Sequence, residues 1–190
     1  MTLVTPDFRF VIRLVFAAFL LLSVTAPSGA QRFDALNIDE LFDNLQSAPN
    51  EATAEALAQE IWRRWLSPED PDLNVLLANV IAFRQAFNID KSLEITNQII
   101  EDFPDYAEGW NQRATIHYMK GEFQASLDDI EEVLVREPRH FGALSGRVLV
   151  YLGLGDRDQA LKAMIEALHI HPYLATRSLF PQLTKPAVRI

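Results

Sequence analysis

Three prolines, Pro104, Pro138 and Pro172, stand 34 residues apart and then 34 again, and this spacing restricts the chain to architectures built from a repeated unit. With each proline at position 32 of a 34-residue unit, the units run 73–106, 107–140 and 141–174. Other columns then align. Position 4 is Leu76, Trp110 and Leu144; position 8 is Val80, Ala114 and Val148; position 11 is Phe83, His117 and Tyr151. Position 20 is always small (Ser92, Ser126, Ala160), and positions 27 and 28 are apolar in every unit (Ile99-Ile100, Val133-Leu134, Ala167-Leu168).

Positions 4, 8 and 11 recur at helical spacing, as do 20, 24, 27 and 28, so each unit carries two amphipathic helices. Gly121 and Gly155 at position 15 separate them, because glycine reaches the left-handed backbone that ends a helix. The small residue at position 20 allows the helices to approach, and the proline at 32 stops the second one. One hairpin of this size cannot bury its own stripes, so the units stack into a solenoid.

These columns resemble the tetratricopeptide repeat, closely over Trp110 to His140 and Phe141 to Leu174, and the stretch Ala107 to Thr115 is similar to exported bacterial members of that family. The resemblance implies an all-α fold, a right-handed superhelical stack of helix-turn-helix hairpins. The first unit departs from the pattern, with Phe87 in the glycine column and Thr96 at position 24.

Upstream, 31–72 is expected to hold a degenerate hairpin, Asn37 to Ser47 and Glu51 to Leu66, broken at Pro49-Asn50 and capping the first repeat. Leu57, Ile61, Trp62 and Trp65 share a helical face there, and Ser67 to Pro71 forms a rigid connector. Downstream, 175–190 is a tail. Residues 173–190 carry Arg177, Lys185 and Arg189 and no acid, whereas 31–172 hold 12 basic and 25 acidic side chains, a net of −13. With Leu179, Phe180 and Leu183 alongside, the tail is either docked over the last repeat or frayed.

Residues 1–30 read as a secretory signal: Arg9 and Arg13, an apolar run from Leu14 to Val24, then Ser28 and Ala30 at the positions a signal peptidase inspects. Cleavage is expected after Ala30. The run is too short for a membrane anchor, which needs about 20 apolar residues, so no stable insertion is expected once the signal is removed. The destination is exported, most simply periplasmic.

A net charge of −9 without a basic stripe argues against nucleic acid. The absence of cysteine removes thiol nucleophiles, disulfides and cysteine-containing zinc sites. His169 and His171 point to different helical faces, His117 sits in a core column, and no phosphate-cradling loop or nucleophile elbow occurs. No cofactor, metal or catalytic residue is expected.

The family resemblance implies that positions 2, 5, 6, 9, 12 and 13 of each unit line a concave groove. The groove candidates are Asn74, Leu77, Ile81, Arg84, Glu108, Asn111, Gln112, Thr115, Tyr118, Met119, Ser145, Leu149 and Leu152. Amides there can bond an extended backbone, and the apolar side chains adapt to a peptide or helix. The alternative for Leu77, Ile81, Leu149 and Leu152 is ordinary packing. Relatives that hold chaperone C-terminal carboxylates use Lys, Asn and Arg where this chain has Leu77, Ile81, Gln112, Gly142 and Gly146, so an acidic C-terminal peptide is not expected. Arg113 and Arg147, both at position 7, form a possible anion ladder; paired with acids such as Asp129 or Glu132, they would instead be structural. The sequence thus reads as a non-catalytic scaffold for a protein or peptide. The alternatives are an assembly factor for envelope or cytochrome complexes and a structural protein that self-associates through the ends of its solenoid.

Overall fold

The computed structural model describes residues 33–183 apart from Asp34, all within one compact unit that begins at Phe33. The signal residues and the last seven positions, with Lys185 and Arg189, lie outside the described residues. Eight α-helices and one short 3-10 helix make up the described chain, which contains no strand. The helices are α1 Ile38–Gln46, α2 Glu51–Trp65, α3 Pro71–Gln85, α4 Ile89–Asp102, α5 Ala107–Lys120, α6 Phe123–Arg136, α7 Phe141–Gly153 and α8 Arg157–Ile170, followed by the 3-10 turn Ala175–Leu179.

The repeat register holds in the backbone. α4, α6 and α8 all begin at position 17 of their units and end at position 30. α5 and α7 begin at position 1, whereas α3 begins at Pro71, two residues ahead of the 73 boundary. Asp70 causes that early start: its carboxylate accepts from the backbone N–H groups of Asp72 and Leu73 at 2.9 Å, and the proline's fixed φ suits a first turn. The column at position 15 is left-handed throughout, with φ 76° at Gly121, 78° at Gly155 and 58° at Phe87. Position 20 also acts alike in the first two units. The Ser92 hydroxyl donates to the Val80 carbonyl at 2.9 Å and the Ser126 hydroxyl to that of Ala114 at 2.8 Å, tying each second helix to position 8 of the first. Ala160 fills the same place in the third unit by packing alone.

The N-terminal hairpin forms as expected, with Asn37 and Glu40 in a reciprocal capping box and Asn50 capping α2. Its partner differs from the expected one. The buried stripe of Leu41, Phe42, Leu45, Leu57, Ala58 and Ile61 closes on Phe141, with Ile170, Tyr173 and Leu174 packed around it, so the hairpin covers the third repeat instead of capping the first. Gln46 donates to the His169 carbonyl at 2.8 Å, and Arg139 pairs with Asp39 at 2.7 Å while lying over the Phe42 ring. Only the hairpin's end adjoins the first unit, where Leu66 packs beside Leu73 and Leu77.

The tail docks. Phe180 is fully buried among Leu144, Val148, Met164 and Ala167, with Leu179 and Leu183 against the same cluster. Charge is not the cause over the described residues: Arg177 donates to the Pro172 and Leu183 carbonyls, folding the tail on itself, and apolar burial supplies the contact.

Candidate protein-interaction face

The groove candidates divide into a closed zone and, toward the ends of α3 and α5, a half-open zone. In the closed zone Glu108 is 1% exposed and accepts from Asn111 Nδ2 at 3.0 Å and Gln112 Nε2 at 2.5 Å, with His140 Nε2 at 3.0 Å. A carboxylate can be buried here because these polar groups surround it. His140, itself fully buried, stacks on Trp65 with 4.0 Å between ring centroids and 5° between planes. Trp62 meets Phe141 edge to face at 5.5 Å. The Tyr106 hydroxyl donates to the Trp65 carbonyl at 2.5 Å. Burial, and secondarily the Glu108 charge, pushes the Tyr106 phenol far above its ordinary range, so it stays a donor.

Several groove candidates are therefore not available to a ligand. Glu108, Asn111 and Gln112 belong to the buried network beneath α2. Leu77 at 2% exposure and Leu149 at 7% are core residues, and Leu152 packs into the cluster around Phe180. Asn74 donates to the carbonyls of Pro68 and Asp70 and so fixes the connector. The Ser145 hydroxyl bonds that of Thr176 in the tail. In each case the hairpin, the connector, the tail or the core has taken the surface that the repeat register assigned to the groove.

Ile81, Arg84, Thr115, Tyr118 and Met119 remain half-buried, neither sealed nor fully solvated. Thr115 donates to the Asn111 carbonyl at 2.9 Å. Tyr118 lies 5.9 Å from the Phe123 ring, and burial raises its pKa, so the phenol is neutral and can donate. Burial also lowers the pKa of Arg84, opposed by the Glu108 charge that holds the guanidinium in its charged form. The half-open zone thus offers aliphatic, thioether and aromatic surface beside a cation and a phenol.

The anion ladder does not form. Arg113 makes a bidentate pair with Asp129 at 2.9 and 2.7 Å and reaches Asn97 at 3.0 Å. Arg147 divides between Glu131 at 3.1 Å and Glu166 at 3.2 Å. Asp129 was the expected partner of the first arginine, whereas Glu132 pairs with Arg136. Both guanidinium groups brace adjacent helices. His117, placed in a core column, is half-buried at the helix end with Nδ1 2.6 Å from Glu122. No group of three His, Asp or Glu side chains that could hold a metal occurs among the described residues, and none of their helices is long and apolar enough to cross a membrane.

Sequence reasoning missed the set Trp62, Trp65, Tyr106 and His140. One signal pointed to it: Gly142 lies within a helix, where glycine costs about 1 kcal/mol relative to alanine. A Cβ there would come within 2.5 Å of the Trp62 ring. The glycine marks the place where α2 lands.

No family model matches the chain. A TPR repeat-containing protein of Rhizobium etli is 35% identical over 135 residues, covering 71% of this chain. The chain spans 66% of that relative's length. Among solved structures, MamA MSR-1 C2 is similar over 70% of this chain and 74% of its own, with 18% identity and a TM-score of 0.47. A second structure of MamA protein covers 79% and 80%, with 17% identity and a TM-score of 0.49.

Proposed function

We propose, from the premise that this chain is a tetratricopeptide-repeat protein, that it is an exported, non-catalytic scaffold which holds a segment of another protein along the half-open zone of its concave face. The carrying observation is the half-buried row of Ile81, Arg84, Thr115, Tyr118 and Met119. In a chain that buries large aliphatic side chains such as Leu41, Leu45 and Ile61 completely, an aromatic and a methionine left partly exposed beside a cation have the composition of a contact surface. An amphipathic helix or extended segment suits it, with apolar side chains for Ile81, Tyr118 and Met119. The closed zone limits such a ligand to the far half of the groove, because α2 already occupies the near half.

Export rests on the arrangement of Arg9, Arg13, the apolar run Leu14 to Val24, Ser28 and Ala30. N-terminal sequencing of the protein isolated from its cells tests it: a start at Gln31 is expected, and an unprocessed chain would overturn this part. For the binding face, the immobilised chain and a Tyr118→Ala/Met119→Ala variant are compared for capture from the exported fraction. A partner retained by the first and lost from the second is expected; equal capture by both would remove the face from the proposal.

A further inference from the structure

Position 4 of the repeat is a tryptophan in the second unit and a leucine in the third, and the exchange opens a cavity. Trp110 lies where the chain leaves α4 and meets the end of α6, and its indole N–H donates to the Pro104 carbonyl at 2.9 Å. Arg136, at position 30, donates to the same carbonyl at 2.6 Å. The Arg136 and Arg113 guanidinium carbons stand 4.6 and 4.9 Å from the centroid of the tryptophan ring. The second unit thus fills this cleft with one ring, two cations and a shared acceptor.

In the third unit positions 4 and 30 are Leu144 and Ile170. Their side chains have no donor, so the Pro138 carbonyl, one repeat beyond that of Pro104, receives neither bond. A cavity of about 390 Å³ lies at this place, lined by Leu134, Pro138, Leu144, Arg147, Glu166 and Ile170 among others. Its size falls within that of small-ligand pockets, about 300–1,000 Å³. Arg147 keeps the position that Arg113 holds beside its ring, and Glu131 and Glu166 fix it at 3.1 and 3.2 Å. The cation and the carbonyl are retained, and the ring between them is not.

We propose that this cavity is a binding site for an indole ring brought by another molecule. Trp110 is the template for each contact. The ring packs on Leu134, Leu144 and Ile170, its N–H donates to the Pro138 carbonyl, and Arg147 faces its π surface. A phenyl ring would lack the donor, and an aliphatic group would forgo the guanidinium as well. Charge narrows the ligand further, because Arg147 is already paired with Glu131 and Glu166, both exposed. An anionic aromatic would meet two acids and a cation already neutralised, so the ligand is a neutral indole. The same ring chemistry is offered by a free indole and by a tryptophan side chain in a peptide, which the experiment separates.

Fluorine NMR of the full chain, titrated with 5-fluoroindole and separately with the N-acetyl amide of 5-fluorotryptophan, tests the proposal. The site stands apart from the half-open zone, and its variants leave Tyr118 and Met119 unchanged. A saturable shift is expected, with nuclear Overhauser contacts from the ring to the methyl groups of Leu134, Leu144 and Ile170. Binding of the free ring alone supports a small-molecule ligand, and stronger binding of the amide supports a tryptophan side chain. The N-methyl derivative of 5-fluoroindole keeps the ring and loses the donor, so it should bind about fivefold more weakly, the net effect of one hydrogen bond. Leu144→Trp/Ile170→Arg rebuilds the filled cleft of the second unit and should abolish the shift with helical circular dichroism unchanged. The proposal is overturned if no saturable shift appears, if the Overhauser contacts are to other residues, if the N-methyl ring binds equally well, or if the folded double variant still binds. Should that variant not fold, the Overhauser contacts of the unaltered chain decide alone.

Discussion

The first and third repeats share one register, yet among the described residues the third is covered on two sides and the first is left bare on one. The third unit receives the N-terminal hairpin on Phe141 and the tail on Met164 and Ala167, whereas the outward helix of the first exposes Val75, Ala82 and Phe87. A repeat therefore specifies its own helices and turns without specifying what lies against it. Covering elements come from non-repeating sequence, and their destination depends on whether they offer bulky apolar groups to a matching gap. Trp62 finds one at Gly142, where any side chain would intrude.

Substitutions at the two ends should differ most in stability. Phe180→Ala removes a fully buried ring from the covered end and should lower unfolding free energy by about 4 kcal/mol, whereas Val75→Ala at the bare end should change it by less than about 0.5 kcal/mol. Urea denaturation of both variants checks this, and similar losses would break the comparison. The covered end should also be the acid-sensitive one. Burial lowers the pKa of His171 to about 4 from its ordinary 6.5. As pH falls below 6.5 the unfolded chain gains a proton that the folded chain refuses, so stability is full above 6.5 and declines until the folded pKa is passed. The loss approaches about 3 kcal/mol by pH 4. His171→Leu should flatten the slope between pH 6.5 and 4.5, above the range where most carboxylates titrate. A wild-type slope in that variant would place the acid sensitivity elsewhere.

Trp65→Ala should cost less, about 2 kcal/mol, because the indole is only half-buried. Its effect should be regional: hydrogen exchange should quicken in α1 and α2 and around His140, while α3 and α4 keep their protection. Uniform quickening would mean that the hairpin and the repeats unfold as one unit.

The backbone was legible wherever a residue's role is local. Pro104, Pro138 and Pro172 located the units, Gly121 and Gly155 located two turns, and the small residue at position 20 located the close approach later seen as Ser92 and Ser126 hydroxyls on the preceding helix. The pair of Arg113 with Asp129 was also within reach, since both belong to one hairpin. The candidate site was less legible because its state depends on contacts across the chain. Glu108, Asn111 and Gln112 occupy groove positions, but the buried His140 that bonds Glu108 lies 32 residues on and Trp65 stacks over that histidine from before the first repeat. Leu152 failed as a groove residue for a related reason: the tail, expected either to dock or to fray, supplies Phe180 to the same cluster.

The smallest expected effect returns to the bare repeat and has the opposite sign. Phe87 stands at φ 58° in the column where the other units have glycine, and 73% of it is exposed. A non-glycine residue in this conformation costs about 1 kcal/mol or more, and an exposed ring recovers little of that by burial. Glycine removes the strain while giving the unfolded chain more freedom, so Phe87→Gly should stabilise by about 0.5–1 kcal/mol. The corresponding Gly121→Phe should destabilise by at least as much. No atom lies within 4 Å of a Cβ at Gly121, so backbone conformation alone would be responsible. Urea denaturation of the monomer measures both changes. Were Phe87→Gly to destabilise the monomer, the ring would have a partner within its own chain, and the first repeat would no longer be the uncovered one.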